Sequence, residues 1–77
     1  MTSDDKERPD PLFNQSLEKG LDVLRAFSAV HRTLTLAELA ALTGMTKSSA
    51  QRTIHTLERL GYVDKHPQTR RFRLTPR

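Results

Sequence analysis

The stretch TLAELAALTGMTKSSAQRTIHTLERLG, residues 35–61, decides the fold. Thr35 is a good helix N-cap, and Glu38 three residues later completes a capping box: the hydroxyl accepts from the N3 amide and the carboxylate accepts from the cap amide. Leu36, Leu39 and Ala40 give this helix an apolar stripe, and Gly44 ends it as a residue that turns left-handed without a Cβ penalty. Thr46 caps the next helix almost at once. Its apolar positions Ala50, Ile54, Leu57 and Leu60 share one face at helical spacing, and Gly61 closes it as Gly44 closed the last. Two helices joined by Gly44-Met45-Thr46, with small Ala40 and Ala50 where they cross, predict a helix-turn-helix.

Upstream, Leu17, Leu21, Val23, Leu24 and Phe27 fall on one side of a 3.6-residue period, with Glu18, Lys19, Asp22 and Arg25 on the other. A first helix is predicted from Ser16 to near Ala29. Gly20 lies inside its apolar arc, where glycine costs about 1 kcal/mol against alanine, which predicts a close approach by another helix. Residues 1–14 combine Pro9 and Pro11 with many charges and only Leu12 and Phe13 as sizeable apolar groups. They predict a flexible tail, because so little burial cannot offset ordering entropy. Downstream the period changes to two: Tyr62, Val63 and Asp64, a turn at His66-Pro67-Gln68-Thr69, then Arg71 to Leu74, with Phe72 and Leu74 on a face opposite the arginines. The expected fold is mainly α with a small β-hairpin, a winged helix-turn-helix of three helices and a two-stranded wing. Residues 15–77 form this domain, behind the tail of residues 1–14.

Seventy-seven residues bound the chain to one small domain with little core to spare, too little to enclose a catalytic pocket as well. Without cysteine it has neither disulfide nor thiolate metal site, which fits a reducing cytoplasm. Apolar runs are far shorter than the roughly 20 residues that cross a bilayer, and no signal segment opens the chain. His31, His55 and His66 are too scattered for a metal motif, and Ser48 and Ser49 near His55 lack an orienting acid and an oxyanion loop. The sequence therefore predicts no enzyme, no metal, no cofactor and no membrane partner.

The formal net charge of +4 is unevenly placed: −2 over residues 1–14, zero over residues 15–45, and +6 from Thr46 onward. A basic surface of this kind gathers polyanions by its summed field and by counterion release, so nucleic acid is the first partner implied. With the apolar arc of the third helix turned inward, Ser48, Gln51, Arg52, His55 and Arg59 point outward, flanked by Lys47, Ser49 and Thr56. Arginine pairs with guanine O6 and N7, glutamine with adenine, and serine with either kind of edge. Thr46, Lys47 and Ser49 at the helix N-terminus suit phosphate. Arg70 and Arg71 on the wing are the expected backbone or minor-groove contacts. Together with Thr35 at the start of the motif, these residues make the candidate DNA-binding set. A winged-helix module that binds a protein through the same surfaces is the alternative, and salt dependence separates the two.

Three blocks of this sequence, QSLEKGLDVL at residues 15–24, LTLAELA at 34–40 and LERLGYV at 57–63, closely resemble the N-terminal DNA-binding domain of IclR-type transcriptional regulators. The ending FRLTPR, residues 72–77, looks like the branch that controls aromatic-acid catabolism. The resemblance implies a winged helix-turn-helix with its motif at about residues 36–55, and homodimers on palindromic operators. It places a dimer contact on the first helix at Leu17, Gly20, Leu21 and Leu24. It also implies that a small-molecule effector acts through a C-terminal domain which this chain does not contain, and that the protein works in the bacterial cytoplasm. Two positions depart from the family pattern: the wing turn His66-Pro67-Gln68-Thr69 lacks the common glycine, and Thr53 holds an inward position usually given to a larger apolar residue.

Overall fold

In the computed structural model, which describes residues 10–76, helix α1 spans Gln15–Ala26. It begins where Asn14, in extended conformation, accepts from the Leu17 amide through its side chain at 3.0 Å. A short turn precedes it, with the Phe13 amide on the Asp10 carbonyl. The first nine residues of the expected tail lie outside the described residues. α1 stops three residues earlier than its apolar period predicts. Ser28 and His31 close a turn on each other, amide to carbonyl at 3.0 Å and amide to hydroxyl at 3.1 Å. Such local serine bonding competes with the helical ladder. Phe27 is thereby swung out of the helix, with ψ at 138°, into the core.

Strand β1 is Thr33–Leu34, α2 is Leu36–Thr43 and α3 is Lys47–Arg59; strands β2, Val63–Lys65, and β3, Phe72–Leu74, follow. The capping box on α2 is formed in full, with the Glu38 amide on the Thr35 hydroxyl at 3.2 Å and the Thr35 amide on the Glu38 carboxylate at 2.8 Å. Gly44 takes φ 74° and donates its amide to the Ala40 carbonyl. Thr46 caps α3 through the Ser49 amide. Gly61, at φ 89°, lets the Tyr62 amide fold back onto the Leu57 carbonyl.

The architecture is the expected three helices with a wing, and the sheet gains a third strand. Its order is β1-β3-β2, all antiparallel, with Leu34 opposite Phe72 on one side and Lys65 opposite Phe72 on the other. Only two residues of β1 pair, too few for a period-two signal, yet Leu34 is buried and ties the helix-turn-helix to the wing. Val23, Phe27, Leu34, Leu39, Ile54, Leu57, Val63 and Phe72 form the core, with Leu24, Ala26, Leu36 and Met45 packed against it.

Several apolar positions lie elsewhere than their period predicts. Leu17 is 61% exposed and Leu21 44%, so the apolar arc of α1 splits into a core face centred on Val23 and an open face. A Cβ on Gly20 would meet nothing within 4 Å, so the close helix approach expected there is not made among the described residues. Leu60 is 58% exposed, because it lies past the last helical residue of α3. Leu74 is also exposed, at the end of β3 beyond the edge of the core, although it shares a face with buried Phe72.

Candidate nucleic-acid interface

Helix α3 is held from below. Ala50, Ile54 and Leu57 are buried at i, i+4 and i+7, which fixes the rotation of the helix about its axis. The opposite stripe follows from the same geometry: Ser48, Arg52, His55 and Arg59, spaced four, three and four residues apart, are all exposed. Gln51 and Lys47 flank the stripe on one side and are exposed too. On the other side Ser49 is half-buried and lines a groove with Leu17, Gly20, Thr53, Leu57 and Leu60 between α1 and α3. Thr53, the small residue at an inward position, satisfies its hydroxyl on the Ser49 carbonyl at 2.9 Å, and Thr56 does the same on Arg52.

Among the described residues no carboxylate lies in ion-pair contact with Lys47, Arg52, Arg59 or Arg70; the ion pairs formed are Arg71 with Glu38 at 3.0 Å and, more loosely, Arg73 with Asp64 at 3.9 Å. The cations left unpaired include those on the outer face of α3, at its start and at the wing turn, beside Lys19 and Arg25 on α1, Arg32 and Lys65. An exposed cation with no internal partner gives up no ion pair when it meets a phosphate.

The wing arginines differ from each other in a way the sequence conceals. Arg70 is exposed and sits at φ 61°, the sole described non-glycine residue with positive φ; it supplies the left-handed turn for which glycine is the usual choice. Arg71 is turned inward. Its Nε donates to the Thr33 hydroxyl at 2.9 Å, and its Nη2 donates to the Thr33 carbonyl at 3.1 Å and to Glu38 Oε1 at 3.0 Å. As placed, Arg71 fastens wing, β1 and α2 through Nε and Nη2, while its side chain stays 37% exposed. The Thr35 hydroxyl oxygen accepts the Glu38 amide in the α2 cap, and its O–H remains a donor. The backbone amide of Thr35 above all holds the Glu38 carboxyl below its ordinary value; desolvation opposes it, and the charge and hydrogen bond of Arg71 add to the lowering.

Two residues absent from the sequence-based candidate set shape this surface. Glu38 is recognisable in sequence as a capping residue, but its second partner lies 33 positions away and leaves no local signal. His66 accepts from the Gln68 and Thr69 amides through its ring Nδ1, each at 3.2 Å, and so closes the wing turn; histidine beside proline in a turn is a weak signal by itself. Among the described residues no three potential metal ligands gather, and no helix is long and apolar enough to cross a membrane.

Comparison with known proteins agrees with this geometry. The IclR helix-turn-helix domain family matches residues 16–67. The Pca regulon regulatory protein of Pseudomonas putida is 38% identical over 60 residues, covering 78% of this chain and 21% of the relative. The p-hydroxybenzoate hydroxylase transcriptional activator of Acinetobacter baylyi is 40% identical over 48 residues, 62% of this chain and 18% of the relative. The crystal structure of an IclR family transcriptional regulator from Brucella abortus superposes with a TM-score of 0.84 at 37% identity, over 87% of this chain and 26% of that one. The chain thus spans about a quarter or less of the length of these relatives. It belongs to the IclR helix-turn-helix family, as the DNA-binding domain of a transcriptional regulator.

Proposed function

We propose that this chain binds duplex DNA in a sequence-specific manner, with α3 in the major groove and the wing on the flanking backbone or minor groove. The observation that carries the reading is the outward stripe Ser48, Arg52, His55 and Arg59, whose arginines form no ion pair among the described residues, on a helix whose rotation the buried Ala50, Ile54 and Leu57 fix. Arg52 and Gln51 are the base readers, with Ser48 and His55 beside them. Thr46, Lys47 and Ser49 serve the backbone near the helix N-terminus. Arg59 and Arg70 extend the phosphate track, with the Thr35 hydroxyl at the start of the motif as a further donor.

Two copies acting on a palindromic operator fit the open face of α1, where Leu17 and Leu21 are exposed and Gly20 leaves room for a second helix. Leu24, half-buried against the core, has less surface to give. The likeness to regulators named for the Pca regulon and for p-hydroxybenzoate hydroxylase supports a place in the aromatic-acid branch. Response to a small-molecule effector is assigned to parts of such regulators outside the region shared with this chain, acting in the bacterial cytoplasm. Selection of bound sites from a random duplex pool tests the reading directly. Inverted half-sites about one helical turn apart, or a multiple of it, are expected. A pool that enriches no consensus overturns sequence-specific reading.

A further inference from the structure

Residues 66–71 close the wing hairpin without glycine: the His66 amide donates to the Arg71 carbonyl and the Arg70 amide to the His66 carbonyl, both at 2.8 Å. Inside this ring Pro67 has no amide, and the amides of Gln68 and Thr69 both meet the imidazole Nδ1 of His66 at 3.2 Å. Turns that fold back on a side chain in this way ordinarily use Asn or Asp, whose oxygens accept in any state near neutrality. An imidazole nitrogen accepts only while it carries no proton, and in the imidazolium both ring nitrogens are donors. The turn so closed is also the one that holds Arg70 at positive φ, a conformation that persists only where its surroundings enforce it.

We propose that His66 is the positioning residue of the wing and a pH-sensitive latch: neutral, it closes the turn and presents Arg70 to the DNA backbone; protonated, it releases both amides and the wing tip with them. The DNA half of this proposal rests on the reading of the wing as a backbone contact. The charged groups on the flanking strands leave the latch to His66 alone. Lys65, just before it, lies with Nζ over the Phe72 ring at 5.7 Å; Arg71 is turned to Glu38; Asp64 and Arg73 face each other across the strands; Arg70 is exposed. No carboxylate in that set forms an ion pair with His66, so its imidazolium gains no bridge to replace the two bonds lost. The sign of the effect separates a latch from simple electrostatics. An added positive charge beside a polyanion strengthens binding as pH falls, whereas an opening latch weakens it.

The test compares the wild-type chain with His66→Asn, which keeps an acceptor that does not titrate, and with His66→Leu, which has none. Hydrogen-exchange protection of the Gln68 and Thr69 amides is followed in the free protein from roughly pH 8 to pH 5, the range in which histidines change charge. Affinity for a random-sequence duplex at fixed salt is followed over the same range. Taking wild type relative to His66→Asn cancels pH effects that arise elsewhere in the chain. Expected are loss of protection in the wild type on acidification, retained protection in His66→Asn, low protection at every pH in His66→Leu, and a wild-type affinity that falls several-fold relative to His66→Asn. Protection that survives protonation, or survives in His66→Leu, overturns the latch. Amides that are released while the affinity ratio stays level overturn the wing's contact with DNA and leave only the turn chemistry standing. A ratio that rises on acidification overturns the DNA half in favour of a plain cationic contact.

Discussion

Arg70 meets two opposed demands at one position. Its backbone sits at φ 61°, a region that costs an L-residue with a Cβ roughly 1–2 kcal/mol and costs glycine nothing of the kind, while its side chain is one of the exposed cations with no ion pair among the described residues. Arg70→Gly should therefore raise the urea midpoint by the equivalent of about 1 kcal/mol and at the same time weaken duplex binding, flattening the salt slope by about one unit. A variant that gains stability with an unchanged salt slope would remove Arg70 from the proposed backbone track. Arg52 makes a different demand, since no ion pair among the described residues uses its guanidinium. Arg52→Ala should leave the thermal midpoint nearly unmoved while costing about 1–3 kcal/mol on a selected operator and relaxing preference at one base pair. Equal losses on operator and random duplex would sink its base-reading role. Arg71 shows where residue type alone misleads. In sequence it is indistinguishable from Arg70, and only the antiparallel pairing of Thr33 with Arg73, which brings Thr33 and Glu38 within reach, shows that it is already engaged.

At the scale of elements, the helix-turn-helix was legible because its signals are local. A capping box, two glycines at helix ends and an i, i+4, i+7 apolar face each lie within a few residues of what they specify. The third strand was not, because two residues carry no period and β1 exists only through β3, nearly forty positions away. The fastening of wing to motif was hidden for the same reason, and Glu38 is its centre. Glu38→Gln keeps the reciprocal cap on Thr35, which glutamine also makes, and removes the charge that meets Arg71. The sign of the pH dependence follows from the lowered folded-state value. The contribution of Glu38 is complete above its ordinary value of 4.5 and is lost as pH falls through the lower folded one. Wild type should therefore exceed Glu38→Gln in urea midpoint near neutrality, and the gap should close with acidification below pH 4.5. A gap that stays constant across that range would exclude the Glu38 charge, held by the Thr35 amide and Arg71, as its source. Ile54 tests the other side of α3: with 2% exposure beneath the proposed recognition stripe, Ile54→Ala should cost about 2–5 kcal/mol and unfold much of the population, by circular dichroism.

For the whole molecule, charge and apolar surface are sorted in space as well as along the chain. Of the net charge of +6 from Thr46 onward, +2 falls on α3 and +3 on the wing, while the exposed leucines of α1 lie on an element with no excess charge. Amphipathic spacing announced the α1 leucines but could not divide them, because one apolar arc served both the core and the open face; only the packing of Val23 and Phe27 tells them apart. This sorting makes the two proposed partners separable. If α1 carries the contact between copies, Leu21→Asp should abolish any concentration dependence of the sedimentation coefficient, and should weaken binding to a two-half-site operator far more than to one half-site. Salt should act on both DNA species and not on the dimer contact. Several phosphate contacts imply a loss of orders of magnitude in affinity between about 50 and 200 mM salt, whereas burial of leucine is not screened. A chain whose DNA association is weak and indifferent to salt would instead be using this fold to hold a protein, and the unpaired arginines of α3 would then need another explanation.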